Sequence, residues 1–451
     1  MSQAQHIVII GNGISGITCA RHLRKLDSDV KITVISGESK YFFSRTALMY
    51  VYMGHMKFEH TQPYENWFWE KNRIDLIEGW VKQIDFKSKA LLFTSGDSLS
   101  YDQLVIATGS KPNKFGWPGQ DLANVQGLYS KQDLELMEKT TEAGVSHAVI
   151  VGGGLIGIEM AEMLAYKKIS VTFLVREAGF WNNVLPKEES ELVGRHIKEH
   201  HFDLRLNAEL DEIIGDQNGK VKAVKTKEGE LIDCQFVGLT AGVSPNIDFL
   251  KNSELDLKRG VLVDQYFRTN MPDVFAIGDC AEFREVPGKD RKNIEQVWYT
   301  GRMHGETLAY NLINKPVPYK PGVWFNSAKF LDIEYQTYGT VPADWEKDDV
   351  INFYWEHRSG KVAFRMLMDQ EKKILGVNNF GFRLKHEFFD KAISQGWTGE
   401  KVMAHLSKAN FDPEFYAPYI NEIQKVYKEQ FGGEFTPSKK SFIQKLLGAR
   451  L

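Results

Sequence analysis

Two glycine clusters, each set between a β-branched run and a helical pattern, constrain this chain more than any other feature. Gly11, Gly13 and Gly16 follow the run His6 to Ile10 and open a helix patterned through Ile17, Ala20 and Leu23; a second run, Val30 to Ile35, comes next. This is the grammar of a βαβ unit. It returns at Ala148 to Val151, with glycines at 152, 153, 154 and 157, a helical stretch through Met163 and a strand from Val171 to Val175. An internal duplication of one supersecondary unit is the simplest account.

The spacing Gly-x-Gly-x-x-Gly answers three demands: a tight strand-to-helix turn, close backbone approach to a pyrophosphate, and close packing of the helix on the sheet. The helix that follows aims its free N–H groups and positive dipole end at the phosphates. Gly11, Gly13, Ile14, Ser15 and Gly16 are therefore expected to hold one dinucleotide, and Gly152, Gly154, Leu155, Ile156 and Gly157 a second. After the second strand of such a unit a carboxylate normally meets the ribose hydroxyls. In the first unit the options are Ser36 and Glu38, of which Glu38 is chosen. The second unit reads Val175-Arg176-Glu177 and lacks a carboxylate at the strand end. Arg176 there suits a 2′-phosphate and leans the reading towards NADPH over NADH; a solvated arginine beside Glu177 is the other explanation.

At 451 residues with 43% hydrophobic content, two or three domains are expected. With 56 basic against 59 acidic residues the chain has no global field for nucleic acid. Cys19, Cys234 and Cys280 form no CxxC or CxxxxC spacing, which excludes a cysteine-based metal site or disulfide framework and fits a reducing compartment. No secretory signal opens the sequence and no run approaches the ~18 apolar residues of a spanning helix, so a cytoplasmic location is expected.

Two further buried strands end in small residues, Tyr101 to Gly109 and Phe236 to Gly242. From about Lys329 the pattern changes to alternating aromatic-rich strands, Phe330 to Tyr338, Val350 to His357 and Val362 to Met368, followed by helical patterns at Lys385 to Gln395, Glu400 to Leu406 and Glu414 to Phe431. The expected fold class is α/β, with two Rossmann-like dinucleotide-binding domains and a C-terminal α+β domain with a helical extension. The expected boundaries are 1–120 and 244–320 for the two parts of the first domain, 121–243 for the second and 321–451 for the third. Trp397, Phe411, Phe415 and Tyr419 are expected to pack. The end of the chain, Lys439 to Leu451, puts Phe442, Ile443, Leu446 and Leu447 on one helical face among cations; a weak membrane-surface contact and a helix docked on the protein are both open.

Over residues 6 to 340 the chain resembles the pyridine nucleotide-disulfide oxidoreductase superfamily, in particular the branch of rubredoxin and ferredoxin reductases, the nitrite reductase flavin domain and the apoptosis-inducing factor. The resemblance rests on Gly11 to Gly16, Phe43-Ser-Arg45 with Leu48, Ala107-Thr108-Gly109, Val151 to Glu159, Ala241-Gly242 with Pro245-Asn246, and Val274 to Asp279. It implies that the first unit binds FAD and the second NAD or NADP. It further implies that Asp279, with Gly278, meets the ribityl chain, that Arg45 lies near the FAD phosphates, and that Val81 offers backbone to adenine. By the same resemblance Ala107, Thr108, Gly109 and Gly242 line the connections, Glu159 lies near the nicotinamide, and Trp298 lies near the flavin. Glu159 also suits the helix dipole.

Two departures stand out. Where disulfide reductases of this superfamily carry CxxxxC, this chain reads Phe43-Ser-Arg-Thr-Ala-Leu-Met-Tyr50, and Tyr50 replaces a lysine of ferredoxin-reductase relatives. Without a thiolate neither a disulfide relay nor a sulfenate peroxidase works there. The expected activity is hydride transfer from NAD(P)H to FAD, with electrons passed directly to ferredoxin, rubredoxin or a small acceptor and no side chain named as catalytic. A peripheral quinone reductase and a flavin- and nucleotide-binding redox sensor are the alternatives, and a homodimer is compatible with each.

Overall fold

The computed structural model describes residues 5–289, 291–346, 349–411 and 419–432. Phe415 and the basic tail from Lys439 to Leu451 lie outside the described residues. The chain divides into two compact units, 1–174 with 208–322, and 175–207 with 323–451.

The first unit holds two parallel sheets. In one, Val274–Ala276, Gln103–Ile106, His6–Ile10, Lys31–Ser36 and Ile74–Glu78 lie side by side in that order. In the other, Ser170–Val175, His147–Val151, Phe236–Leu239 and Val125–Gln126 do so. Strands buried on both faces read as continuous apolar runs, and Ile7, Val8, Ile9 and Val149, Ile150 have no accessible surface. Each first strand feeds a helix, Ile14–Leu26 in one sheet and Leu155–Tyr166 in the other. The late helix Trp298–Leu312 lies against Ile14–Leu26 at backbone contact, because a Cβ at Gly305 would fall 2.4 Å from the Ser15 carbonyl oxygen.

The second unit is built on an antiparallel sheet ordered Phe325–Phe330, Ile333–Gly339, Ile374–Phe380, Ala363–Met368 and Ile351–Glu356. Helices His386–Ser394, Gly399–His405 and Ile420–Phe431 supply Phe389, Met403 and Ile423 to its core. Two expectations need correction here. The run Phe330 to Tyr338 is two strands joined at Leu331-Asp332, and a fifth strand, Ile374–Phe380, carries buried Asn378 and Asn379. Trp397 and Tyr419 pack against the core, whereas Phe411 is 55% exposed.

The segment 175–207, expected within the nucleotide domain, groups with the C-terminal sheet for an electrostatic reason. Arg365 is fully buried and binds Glu189 and Glu188 of helix Lys187–Glu199, each at 2.7 Å. Asn352 accepts a third bond from Arg365, and Asn378 donates to Glu189, both also at 2.7 Å. Burial pushes the Glu189 carboxyl up to about 7, against the pull of Arg365. A buried charge with its partner removed costs about 3–5 kcal/mol, so this arginine fixes the helix to the sheet.

Candidate functional site

The two glycine turns repeat one another atom for atom in kind. At the first, Gly11 holds φ +115°, and a Cβ there would sit 2.1 Å from the Ala107 carbonyl oxygen of the neighbouring strand's end. A Cβ at Gly16 would sit 2.1 Å from the Gly11 carbonyl oxygen, while one at Gly13 would meet nothing within 4 Å. At the second turn Gly152 holds φ +125° with Thr240 carbonyl oxygen 2.8 Å from its would-be Cβ, and Gly157 faces Thr240 Oγ1 at 2.9 Å and the Gly152 carbonyl oxygen at 3.0 Å. The turns are pinned alike: Gly11 N–H donates to Ile35 at 2.8 Å and Gly152 N–H to Leu174 at 3.0 Å. Only glycine adopts such φ values without strain.

Both helices begin uncapped. Gly13 and Gly154 are their N-caps, no side chain caps either, and neither first turn carries an acid. The contrast is Lys131–Glu142, closed by the reciprocal Ser130 and Asp133 capping box. Helix starts left with free N–H groups and open space at Gly13 fit two pyrophosphates, and a capped start would not.

Beyond the first turn the expected residues converge. Ser36 Oγ accepts the Glu38 and Ser39 N–H groups at 3.2 and 3.4 Å and so shapes the turn, leaving the Glu38 carboxylate as the acceptor. Arg45 forks onto Glu38 with two bonds of 2.7 Å, donates to the Tyr129 carbonyl at 2.6 Å and lies 4.4 Å over the Tyr129 ring. The Lys131 N–H completes the carboxylate at 2.9 Å. Glu38, assigned from its place after the second strand, and Arg45, assigned by resemblance, are thus one bidentate ion pair.

Asp279 closes the same region from the far end of the chain. Its Oδ2 accepts from Ser110 Oγ at 2.9 Å and Tyr129 OH at 3.3 Å, and Gln296 donates to Ser110 Oγ at 2.8 Å. Desolvation lifts the Asp279 carboxyl above the ordinary range, partly offset by Ser110, Tyr129 and Arg45. Gly278 holds φ +72°, a Cβ there would strike Ser15 Oγ at 2.4 Å, and its N–H donates to His304 Nδ1 at 3.1 Å. Behind His304 stand Glu295, Arg291 and Tyr319 in one buried group: His304 and Tyr319 bond Glu295 Oε2 at 3.3 and 2.8 Å, and Arg291 forms an ion pair with Glu295 Oε1 at 2.9 Å. Trp298 starts the helix that carries His304 and is 40% exposed, edge-on to Tyr299.

The connecting residues form a small antiparallel pair, Ser110–Pro112 with Val243–Pro245. Thr108 Oγ1 donates to the Asn246 carbonyl at 2.8 Å, Asn246 N–H to Gly109 at 2.9 Å, and Asn113 N–H to Gly242 at 3.1 Å. Val81 begins the strand Val81–Asp85 and is half-buried; the adjoining Trp80, 55% exposed, lies over Gly37, whose added Cβ would fall 2.1 Å from the indole. Glu159 lies in the second turn of its helix at intermediate exposure. Arg176 follows the strand Ser170–Val175, is 72% exposed and is turned onto Glu177 at 2.8 Å. Ser110, Trp80, Tyr129, Gln296 and His304 are the residues that sequence reading missed. Each is a solitary polar or aromatic residue brought in by topology, with no spacing signal of its own.

The model for the pyridine nucleotide-disulphide oxidoreductase family matches residues 5–305. The chain belongs to that family. Among similar proteins, the assimilatory nitrate reductase electron transfer subunit of Bacillus subtilis is 26% identical over 425 residues, covering 93% of this chain and 52% of the relative. This chain therefore spans about half the length of that relative. An NADH oxidase of Methanocaldococcus jannaschii is 30% identical over 440 residues, covering 93% of this chain and 96% of the relative. The structure of a ferredoxin reductase for the CYP199A2 system of Rhodopseudomonas palustris superposes with a TM-score of 0.75 at 22% identity, covering 84% and 91% of the two chains.

Against the family's name, this member has no cysteine where a redox disulfide would stand. The segment Phe43 to Tyr50 forms a single turn, Arg45–Ala47, and a short helix, Leu48–Tyr52, with Tyr50 stacked on His55. All three cysteines are free and buried. Burial raises each thiol, that of Cys234 to about 12. Cys280, next to Asp279, donates to the Ile106 and Ile277 carbonyls at 3.4 and 3.3 Å and so faces the sheet. Among the described residues no helix is long and apolar enough to cross a membrane.

Proposed function

We propose that this FAD- and NAD(P)H-dependent oxidoreductase is an electron transferase: reducing equivalents enter from the nicotinamide nucleotide and leave the flavin for a redox protein or small acceptor without passing through sulfur. The duplicated glycine cradle carries the reading, because two helix starts in one unit, each entered through a glycine turn packed on a neighbouring strand's carbonyl, provide for two dinucleotides, and the buried thiols provide no relay between them. FAD, when bound, supplies the hydride-accepting and electron-releasing chemistry. The protein's part is positioning and exclusion of water.

In this reading Gly11, Gly13, Ile14, Ser15 and Gly16 hold the FAD pyrophosphate, Glu38 its adenosine ribose, and Trp80 with the backbone of Val81 its adenine. Arg45 both orients Glu38 and neutralises charge near the phosphates. Asp279, held by Ser110 and Tyr129, accepts from the ribityl hydroxyls, with Ala107, Thr108, Gly109 and Gly278 shaping the wall and Trp298 bordering the flavin. Gly152, Gly154, Leu155, Ile156 and Gly157 hold the nicotinamide nucleotide, Glu159 orients its carboxamide, Gly242 gives room at the crossing strands, and Arg176 favours a 2′-phosphate. These roles divide the chain functionally at about residues 120, 243 and 320. The relative named an electron transfer subunit and the superposed ferredoxin reductase favour a small iron–sulfur protein as acceptor, and a cytoplasmic location goes with it.

Anaerobic mixing of the purified protein with NADPH or NADH tests this. The flavin absorbance should bleach, and a ferredoxin added afterwards should restore it faster than a quinone or dioxygen does. A colourless protein that FAD cannot reconstitute would end the reading; fastest reoxidation by quinone or dioxygen would replace the acceptor.

A further inference from the structure

A second constellation lies in the C-terminal unit. Helix Lys187–Glu199 carries His196 in its last turn, and His200 is its C-cap, so the two imidazoles stand one turn apart on one face. Asp332 sits at the tip of the hairpin between Phe325–Phe330 and Ile333–Gly339. Its Oδ1 lies 2.9 Å from His200 Nε2 and is also bonded to His196 Nε2. One atom from each residue can meet the others within 4.8 Å.

Two further observations set this group apart from an ordinary surface ion pair. His196 is only 1% exposed and its ring is held edge-on to His200 at 4.6 Å, so one donor is fixed before any ligand arrives. Its other nitrogen, Nδ1, is buried without a hydrogen-bond partner, and Glu199 Oε2 lies 3.5 Å away without bonding to it.

We infer that His196, His200 and Asp332 bind a divalent transition-metal cation of the zinc class. Two imidazoles and one carboxylate suit zinc, cobalt, nickel or copper, whereas magnesium and calcium call for oxygen ligands. Zinc bond lengths of about 2.0–2.2 Å set tetrahedral donors roughly 3.4 Å apart, so Asp332 Oδ1 draws back from the two imidazoles it now bonds. Each imidazole gives up the Nε2 proton it shares with Oδ1 as the cation enters: a neutral ring carries it on Nδ1 instead, and a protonated ring, already carrying a proton on Nδ1, releases it to solvent. His200 and Asp332 are 39% and 58% exposed, which leaves a path in and a fourth position for water. Lys361 Nζ stands 3.9 Å from Asp332 Oδ2 and 3.6 Å from Glu199, so it pairs with the outer oxygens and leaves Oδ1 to the cation. The bound ion would clip the helix to the hairpin within this unit.

Full-length, tag-free holoprotein freed of metal by chelator and titrated calorimetrically with zinc tests the site, with cobalt as the optical probe. One zinc per chain should bind, cobalt should give visible d–d bands, and zinc should raise the melting temperature. His200→Ala and Asp332→Asn, both exposed positions, should each weaken zinc at least tenfold and abolish its thermal effect with the circular dichroism unchanged; Glu199→Gln should weaken it less. Unaltered zinc binding in both variants, no stoichiometric binding to the wild type, or magnesium binding as tightly as zinc would overturn the inference.

Discussion

The two glycine turns share a backbone and differ in what lies beyond it. After the first, the carboxylate at the strand end is locked: Glu38 has Arg45 on both oxygens and the Lys131 N–H besides, and the same network runs through Tyr129 to Asp279. After the second, Arg176 and Glu177 face each other in solvent, with the guanidinium 72% exposed. Packing differs in the same sense. The first helix meets its turn at a would-be Cβ distance of 2.1 Å to the Gly11 carbonyl oxygen, the second at 3.0 Å to the Gly152 carbonyl oxygen. A rigid, satisfied site suits a prosthetic group that stays, and a looser rim suits a substrate that must leave each cycle.

The comparison breaks first at Gly16. A Gly16→Ala change forces a methyl into the Gly11 carbonyl, and about 1–3 kcal/mol of overpacking should weaken FAD by up to about 150-fold, read as flavin lost from the visible spectrum after gel filtration. If that variant stays fully yellow, the rigid account of the first cradle fails. Arg45→Ala strands the Glu38 carboxylate, and loss of a charge-assisted pair worth about 1.5–3 kcal/mol should weaken FAD about 10- to 100-fold in equilibrium titration, with nucleotide KM little changed. At the second cradle Gly157→Ala meets Thr240 Oγ1 and the Gly152 carbonyl oxygen at the wider spacing of 2.9 and 3.0 Å; nucleotide KM should rise about tenfold, near 1.4 kcal/mol, while the flavin stays bound. An equal loss of FAD from both glycine variants would erase the distinction. Arg176→Ala should lower kcat/KM for NADPH about two- to fivefold relative to NADH, the scale of an exposed charge contact, and equal losses would remove the 2′-phosphate role. Cys280→Ala should change turnover with a ferredoxin by less than about twofold, since its buried thiol is a small core group.

Legibility followed the physics of each residue. The glycine turns could be read because close backbone approach forbids side chains, and that prohibition is written in the residue type. Asp279 and Arg45 were placed by resemblance, and their pairing partners were not. Tyr129 and Ser110 reach Asp279 across 150 and 169 positions of chain, respectively, with nothing local to announce them. In the C-terminal unit the turn at Leu331-Asp332 contains neither glycine nor proline, so two strands read as one. Asn378 and Asn379 disguised the fifth strand, since asparagine is a poor strand former; it is tolerated there because Glu189 and the Phe382 carbonyl accept the two side-chain amides.

Each phosphate loop leans on a carbonyl supplied much later in the chain, Gly11 on Ala107 and Gly152 on Thr240. During synthesis the first loop therefore emerges unfinished and waits for a strand that the ribosome has yet to deliver, and Asp279 arrives later still. The FAD site is thus completed only when the strand Val274–Ala276 and Asp279 have joined the sheet, so a chain terminated before Asp279 lacks part of it.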